Sequence, residues 1–246
     1  ILMPSALLIP ATIVPVSAPP SALPSPSLSF FGSPSIEARP PSAAPTAPID
    51  AGAALHKAMD RFIDTRLRLI YLLANIQVEC AFRLVEENLA YSAKRICEVW
   101  PTRFPTPASA KMFERNPIGL ANKVYGGRMG NVNPGDGYLC RGRGWPQLTG
   151  RDAYTIVGGI VGKDFVANPD QLLTLEGSAA AAVGFFAWKK VGDLADKDDL
   201  VGVRTRWNGG GHGLPALRTA VALLKDTWPA NGMPTQLQPA RAAPTS

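Results

Sequence analysis

Histidine and cysteine are nearly missing from this chain of 246 residues, which has two of the first and three of the second. His56 and His212 cannot build the multi-histidine cluster of a catalytic metal site, and neither an HExxH run nor an EF-hand loop is present. Neither a metal nor a cofactor is expected. Cys80, Cys97 and Cys140 are odd in number and include no CxxC pair, which predicts inert free thiols rather than a disulfide framework or a zinc ribbon. No GxSxG elbow is present to carry a serine nucleophile. Gly142-x-Gly144 is followed by Gln147 instead of a third glycine and lies in no strand-turn-helix unit, which argues against a dinucleotide fold. Long apolar runs are lacking too. The stretch from Leu7 to Val16 is broken by Pro10 and Pro15, short of the roughly 18–20 residues a membrane helix needs, so no stable membrane insertion is expected.

What the chain does have is proline, 24 residues of it, unevenly placed. Twelve lie in residues 1–50, alongside only three charged residues, Glu37, Arg39 and Asp50. This Pro/Ser/Ala tract has no apolar period and reads as a disordered segment. A second such tail runs over residues 229–246 through Pro234, Pro239 and Pro244. Between them one domain is left, residues 51–228, long enough to bury about 70% of its unfolded surface. Over residues 51–246 Lys and Arg number 24 against 17 Asp and Glu, an excess of +7 that favours encounter with anionic polymers. These cations are scattered in sequence rather than gathered into one arm or helix stripe, so nucleic acid is not an expected partner. No basic stretch precedes the first apolar run, so no secretory signal is read before Arg39, and export is left open.

From Ala53 to Val78 the residues Leu55, Met59, Phe62, Leu67, Ile70, Leu73 and Ala74 recur at helical spacing, predicting one helix or two in tandem. A break belongs near Ile63-Asp64-Thr65, where Asp64 or Thr65 can cap the second helix. Short helices are expected at 88–100 and 108–124, and further ones at 170–190, 199–207 and 214–228. The last begins with Pro215 and is striped by Leu217, Val221, Leu224 and Trp228. Residues 131–150 differ in kind. Pro134-Gly135-Asp136-Gly137 signals a turn, and Tyr138-Leu139-Cys140 with the Gly-spaced residues up to Thr149 suggests a small β-hairpin. No strand-helix alternation is present, so the expected fold is mainly α with a small β element.

Carboxylates are the chemistry that remains. The run Gln77-Val78-Glu79-Cys80-Ala81-Phe82-Arg83-Leu84-Val85-Glu86-Glu87-Asn88 puts one acid at an apolar helix end and two more seven and eight residues on. Among Ile76, Val78 and Phe82 a carboxyl would be desolvated, which favours its neutral form, as a general acid requires. The plainer reading pairs Glu79 with Arg83, four residues on, at a helix surface. In an uninterrupted helix Glu79 and Glu87 would stand about 12 Å apart along the axis. Inverting glycoside hydrolysis asks for carboxyls roughly 6.5–9.5 Å apart, so the chain must turn between Cys80 and Glu87 or the side chains must converge.

Further strings follow these acids. Glu79 with Phe82 precedes Glu86-Glu87-Asn88-Leu89-x-Tyr91-Ser92-Ala93, Asn116-Pro117, Ala121-Asn122-x-Val124-Tyr125, Arg128-Met129-Gly130-Asn131 and Gly135-Asp136-Gly137. Then come Arg141-Gly142-Arg143-Gly144-x-x-Gln147-Leu148-Thr149-Gly150-Arg151-Asp152-x-Tyr154 and Asn208-Gly209-Gly210. In number and order they resemble glycoside hydrolase family 19, in its phage-endolysin branch, over residues 53–226. The resemblance implies a lysozyme-like α+β domain, mainly α, with a small β-hairpin lobe, flanked by disordered Pro-rich tails. It also implies cleavage of β-1,4 bonds in N-acetylglucosamine-containing polymers, bacterial peptidoglycan or chitin, by inversion and without metal or cofactor. A monomer acting on the cell wall, after release from the cytoplasm or export, is expected.

By position, Glu79 matches the family's general acid and Glu87 the second acid, the base that activates water, with Glu86 as its fallback. Gln147 and Thr149 match residues that face the sugar, where a hydroxyl holds the water and an amide bonds an N-acetyl group. Asn208 matches the asparagine of the glycine-rich loop lining the cleft, and Arg218 the basic residue behind it. Tyr125 is a candidate sugar platform, as are Trp145, Tyr154, Trp188 and Trp207, although buried aromatics of helical domains are more often core. Local chemistry offers plainer roles, Thr149 with Asp152 as a capping box and Asn208 before Gly209 as a helix stop. The family usually has His where Val78 stands, and Ser-x-Gly-Phe where Cys80-Ala81-Phe82 is one residue shorter. Two rival readings stand beside this one: a lytic transglycosylase or goose-type lysozyme with Glu79 as the only essential acid, and a catalytically impaired wall-binding module.

Overall fold

The computed structural model describes residues 54–55, 57–59 and 62–227. Trp228 and the tracts expected to be disordered, 1–50 and 229–246, lie outside the described residues. In chain order the helices are α1 Arg66–Cys80, α2 Ala93–Val99, α3 Pro107–Ala110, α4 Pro117–Tyr125, α5 Asp136–Leu139, α6 Arg151–Val161, α7 Leu175–Trp188, α8 Gly192–Ala195, α9 Leu200–Asn208 and α10 Leu214–Thr227. Single 3-10 turns occupy Lys111–Phe113 and Pro169–Leu173. The fold is mainly helical, in keeping with the lysozyme-like expectation, and no helix among the described residues is long and apolar enough to cross a membrane.

Residues 54, 55, 57 and 58 are helical, the chain then bends, and Thr65 starts α1 by accepting the Arg68 N–H on its hydroxyl at 3.2 Å. The break therefore falls where the capping residues put it. Leu69 through Ile76 are all buried, with no polar face between them, because α7, α8, α9 and α10 all pack on α1. Helix α7 is buried in the same way from Gly177 to Phe186. Helix α6 gave no clear signal in sequence. Its β-branched Thr155-Ile156-Val157 and the pair Gly158-Gly159 are weak helix formers, and its packing on α7 overrides them. Its N-cap is Gly150, not Thr149, so the capping-box reading of Thr149 and Asp152 fails.

Two apolar clusters divide the domain. The larger gathers α1, α6, α7, α9 and α10; the smaller holds Leu89, Tyr91, Ile96, Phe104, Leu120 and Val124 on and between α2, α3 and α4. The expected β-hairpin shrinks to two antiparallel bridges, Arg143 with Leu148 and Arg143 with Glu86. Tyr138 and Leu139, expected in a strand, belong to the single turn α5. Pairing stops after one residue because Gly144 and Gln147, at φ 71° and 50°, close a tight loop around the buried Trp145. The three cysteines are free, and burial pushes the Cys80 thiol up to about 12, which keeps it protonated.

Candidate active site

Helix α1 stops one residue after Glu79. Ala81 and Phe82 both take left-handed backbone, at φ 50° and 59°, and the Ala81 N–H closes the helix on the Gln77 carbonyl. No helical register passes beyond Cys80, so the shorter segment after Glu79 does not rotate Glu87 about a helix axis. The chain instead lies against the Gly142–Leu148 loop. Gly144 N–H donates to Val85 O at 2.9 Å, and Trp145 Nε1 to Phe82 O at 3.0 Å. A left-handed alanine costs roughly 1 kcal/mol relative to glycine. Ala81→Gly should therefore raise stability by about 0.5–1 kcal/mol in urea unfolding; an unchanged or lowered midpoint would show that the turn is not strained there.

Glu79 does not sit in the apolar surround its sequence neighbours suggested. Four residues before it on the same face of α1 stands the fully buried Asn75, and across from both lies Arg204 of α9, 4% exposed. Arg204 Nη1 donates to Glu79 Oε1 at 2.6 Å and to Asn75 Oδ1 at 3.1 Å, while its Nε donates to the His212 carbonyl. Asn75 Nδ2 is in turn spent on the Tyr71 carbonyl at 2.8 Å, which fixes the side-chain amide. The surface pair with Arg83 does not form either, since Arg83 Nε donates to the Cys80 carbonyl. Gly213 makes the approach of Arg204 possible. It has φ 72°, and a Cβ there would meet Arg204 Nη2 at 2.8 Å and Val78 Cγ1 at 3.1 Å. Asn208, the last residue of α9, donates from Nδ2 to His212 O at 2.9 Å and accepts the Gly210 N–H on Oδ1, so it folds the 209–213 loop beside Glu79. Arg218 is exposed on α10 and its charge is felt at Tyr71, two turns before Glu79, so Arg204 is the basic residue against the acid. Only the spacing of Asn75 to Glu79 hinted at this cluster in sequence.

Glu87 has a different environment. Its Oε1 accepts the Tyr125 hydroxyl at 2.5 Å and its Oε2 the Gly142 N–H at 3.3 Å, while its own N–H donates to Gly142 O at 2.8 Å. Burial holds its carboxyl above the ordinary carboxylate range, against the opposing pull of Tyr125, Gly142 and the Arg141 charge. Burial and the neighbouring Glu87 charge push the Tyr125 phenol well above its usual value, so it stays a donor. Glu86 is committed elsewhere. Its Oε2 takes Arg141 Nη2 at 2.6 Å, with Arg143 Nε 3.7 Å away. Tyr125→Phe removes a bond that lowers the pKa of Glu87. A group that must be ionised to work would then lose its proton at higher pH, and the acidic limb of the rate profile should move up. A limb that stays in place would separate Tyr125 from Glu87's titration.

Gly142 is where the other expected residues meet. A Cβ on it would come within 3.0 Å of Gln147 Oε1, 3.3 Å of Thr149 Oγ1 and 3.4 Å of Glu87 Cβ. Gln147 Nε2 donates to Val85 O at 3.2 Å and Gly144 O at 2.9 Å, so its amide nitrogen braces the loop and its oxygen is the end beside Glu87. The Thr149 hydroxyl donates to the Gln147 carbonyl at 3.0 Å. Of the aromatic platforms, Trp145 and Tyr154 are fully buried and Trp207 is 4% exposed, so these three are core. Trp188 is half-buried under Lys189, and Tyr125 serves as Glu87's donor. The structure thus forms two groups, Glu87 with Tyr125, Gln147 and Thr149, and Glu79 with Arg204 and Asn208, joined by the turn at residues 80–86.

This is an arrangement suited to acid–base chemistry, with two carboxyls in unlike surroundings and polar oxygens beside one of them. No family model matches the chain. A curated protein of Haemophilus influenzae (strain Rd), named a glycosyl hydrolase family 19 domain-containing protein, is 37% identical over 131 residues, which cover 52% of this chain. The match spans 64% of that relative, under two thirds of its length. The chain is therefore similar, over about half its length, to a protein carrying the same family name that its motifs suggested.

Proposed function

We propose that this chain is a glycoside hydrolase that cleaves β-1,4 bonds in N-acetylglucosamine-containing polymers, and that it works on bacterial peptidoglycan in the manner of an endolysin. The observation that supports this most is the reversal of the chain directly after Glu79, which lays a desolvated Glu87 against Gly142, Gln147 and Thr149. In this reading Glu79 passes its proton to the glycosidic oxygen as the bond to the anomeric carbon breaks. Glu87 takes a proton from the water that attacks that carbon from the opposite face, and solvent exchange restores both groups. The carboxylate left on Glu79 meets a guanidinium already in place at 2.6 Å, where no reorganisation is needed. Gln147 Oε1 and the Thr149 hydroxyl, gathered with Glu87 around Gly142, are the groups that hold the water in this reading. Glu87 is preferred to Glu86 as the base because Glu86 Oε2 is taken by Arg141 at 2.6 Å.

Mass spectrometry of digested sacculi tests the reaction class. Hydrolysis leaves a reducing-end sugar with the mass of water added. An anhydro end would make the chain a transglycosylase and leave Glu87 without the role of base, and binding without product would make it a wall-binding module.

A further inference from the structure

The positive charge that is scattered in sequence is not scattered in the fold. Residues 88–128, which build the smaller apolar cluster, carry seven Lys and Arg (94, 95, 103, 111, 115, 123 and 128) against two acids, Glu98 and Glu114, a surplus of +5. The rest of the continuous described region, residues 62–87 and 129–227, carries 14 of each sign. Arg95 is paired with Glu98 and Lys111 with Glu114. Lys94, Arg103, Arg115, Lys123 and Arg128 are exposed, and none of the ion pairs among the described residues includes them.

Three of the five gather around the C-terminal end of α4, whose last residue, Tyr125, holds Glu87. Lys123 and Arg128 flank Tyr125 in the chain. Arg103 Nη1 donates to the Lys123 carbonyl at 2.9 Å, and the Arg128 charge is felt at the Tyr125 phenol, which itself holds Glu87. A helix C-terminus favours a cation in its last turn, which accounts for Lys123 on α4. It does not account for Arg103, which is on no helix, nor for a whole lobe left uncompensated. Like charges gathered without partners cost stability through self-repulsion unless an anion is to be met.

We propose that Arg103, Lys123 and Arg128 form a cationic rim on the smaller lobe that binds the carboxylates of peptide-bearing peptidoglycan strands as they enter the site. This rests on the glycosidase reading and narrows it, since a neutral N-acetylglucosamine polymer gains nothing from such a rim. Arg103→Gln and Lys123→Gln are both exposed substitutions outside the apolar cluster.

The test is co-sedimentation of the full chain with sacculi stripped of phosphate polymers, before and after capping their carboxylates as amides by carbodiimide coupling. Binding is read apart from cleavage, so failure of the rim and failure of the glycosidase reading are distinguishable: the second shows only in the products. The double variant should bind intact sacculi about tenfold more weakly at low ionic strength. Capping should weaken the wild type to the same level and leave the variant unchanged, and added salt should act as capping does. Turnover of a soluble, uncharged N-acetylglucosamine oligomer should not differ between wild type and variant. Wild-type binding that ignores capping, or a variant that binds as wild type, overturns the rim. So does tighter binding to a DNA duplex than to intact sacculi, which would assign the charge to nucleic acid.

Discussion

Glu79→Gln should lose at least about 10²-fold in kcat on sacculi, the usual contribution of a positioned general acid. The amide is a neutral analogue of the protonated acid and its oxygen can still accept the Arg204 bond, so the thermal midpoint should hold within about 2 °C. Glu87→Gln should lose activity to a similar degree, and its effect on stability follows from burial. Burial raises the carboxyl of Glu87 in the folded state. A group raised by folding adds stability below its unfolded pKa, about 4.3 for glutamate, and that contribution is lost as pH rises through the folded value. At neutral pH the charge is therefore a cost, and the neutral glutamine should hold or raise the midpoint. Parallel melts and rate measurements decide the pair. Retention of more than a tenth of the activity in either variant would remove that residue from the chemistry.

Arg204→Met carries the largest expected loss of stability. The side chain ties α9 to α1 through Glu79 and Asn75 and ties both to the 209–213 loop through the His212 carbonyl. Removing it leaves the Glu79 carboxyl, 20% exposed, and a fully buried Asn75 oxygen without their hydrogen-bond donor. Breaking a buried pair in this way costs about 2–4 kcal/mol after allowance for the part of Glu79 that reaches water. Urea unfolding should show the loss, and hydrogen exchange should show it first in residues 208–213. Arg204→Lys should recover little, because one ammonium cannot serve three acceptors in a fork. A loss below about 0.5 kcal/mol would mean that Arg204 does not organise this side of the site.

The helices were legible because their punctuation is local. Thr65, Ser92, Thr106 and Asn116 each accept a backbone N–H from their own first turn, and Gly209 ends α9 in left-handed backbone. Helix α6 was hidden because its residues are poor helix formers and tertiary packing on α7, which no local pattern shows, makes up the difference. The β-hairpin was overestimated for a related reason. Glycine spacing marks tight turns well but says nothing of how many residues pair between them, and here Arg143 alone does so twice. At the site, the two acids and the residues around Gly142 could be named from motifs. Arg204 could not, since Asn75 and Glu79 lie on another helix more than 120 residues before it and its third partner, the His212 carbonyl, lies in a loop. The same distance in sequence hid the environment of Glu79: its neighbours in the chain are apolar, whereas its neighbours in space are a guanidinium and an amide.

The configuration of the sugar released from a β-linked N-acetylglucosamine oligomer, followed by proton NMR in the first moments of reaction, tests the two-carboxylate account most directly. Water delivered by Glu87 to the face opposite the leaving group gives the α-anomer first, which then drifts toward the equilibrium mixture. Initial appearance of the β-anomer would require the carbon to be attacked twice, or by a group other than water held at Glu87, and would contradict the assignment of Glu79 as acid and Glu87 as base.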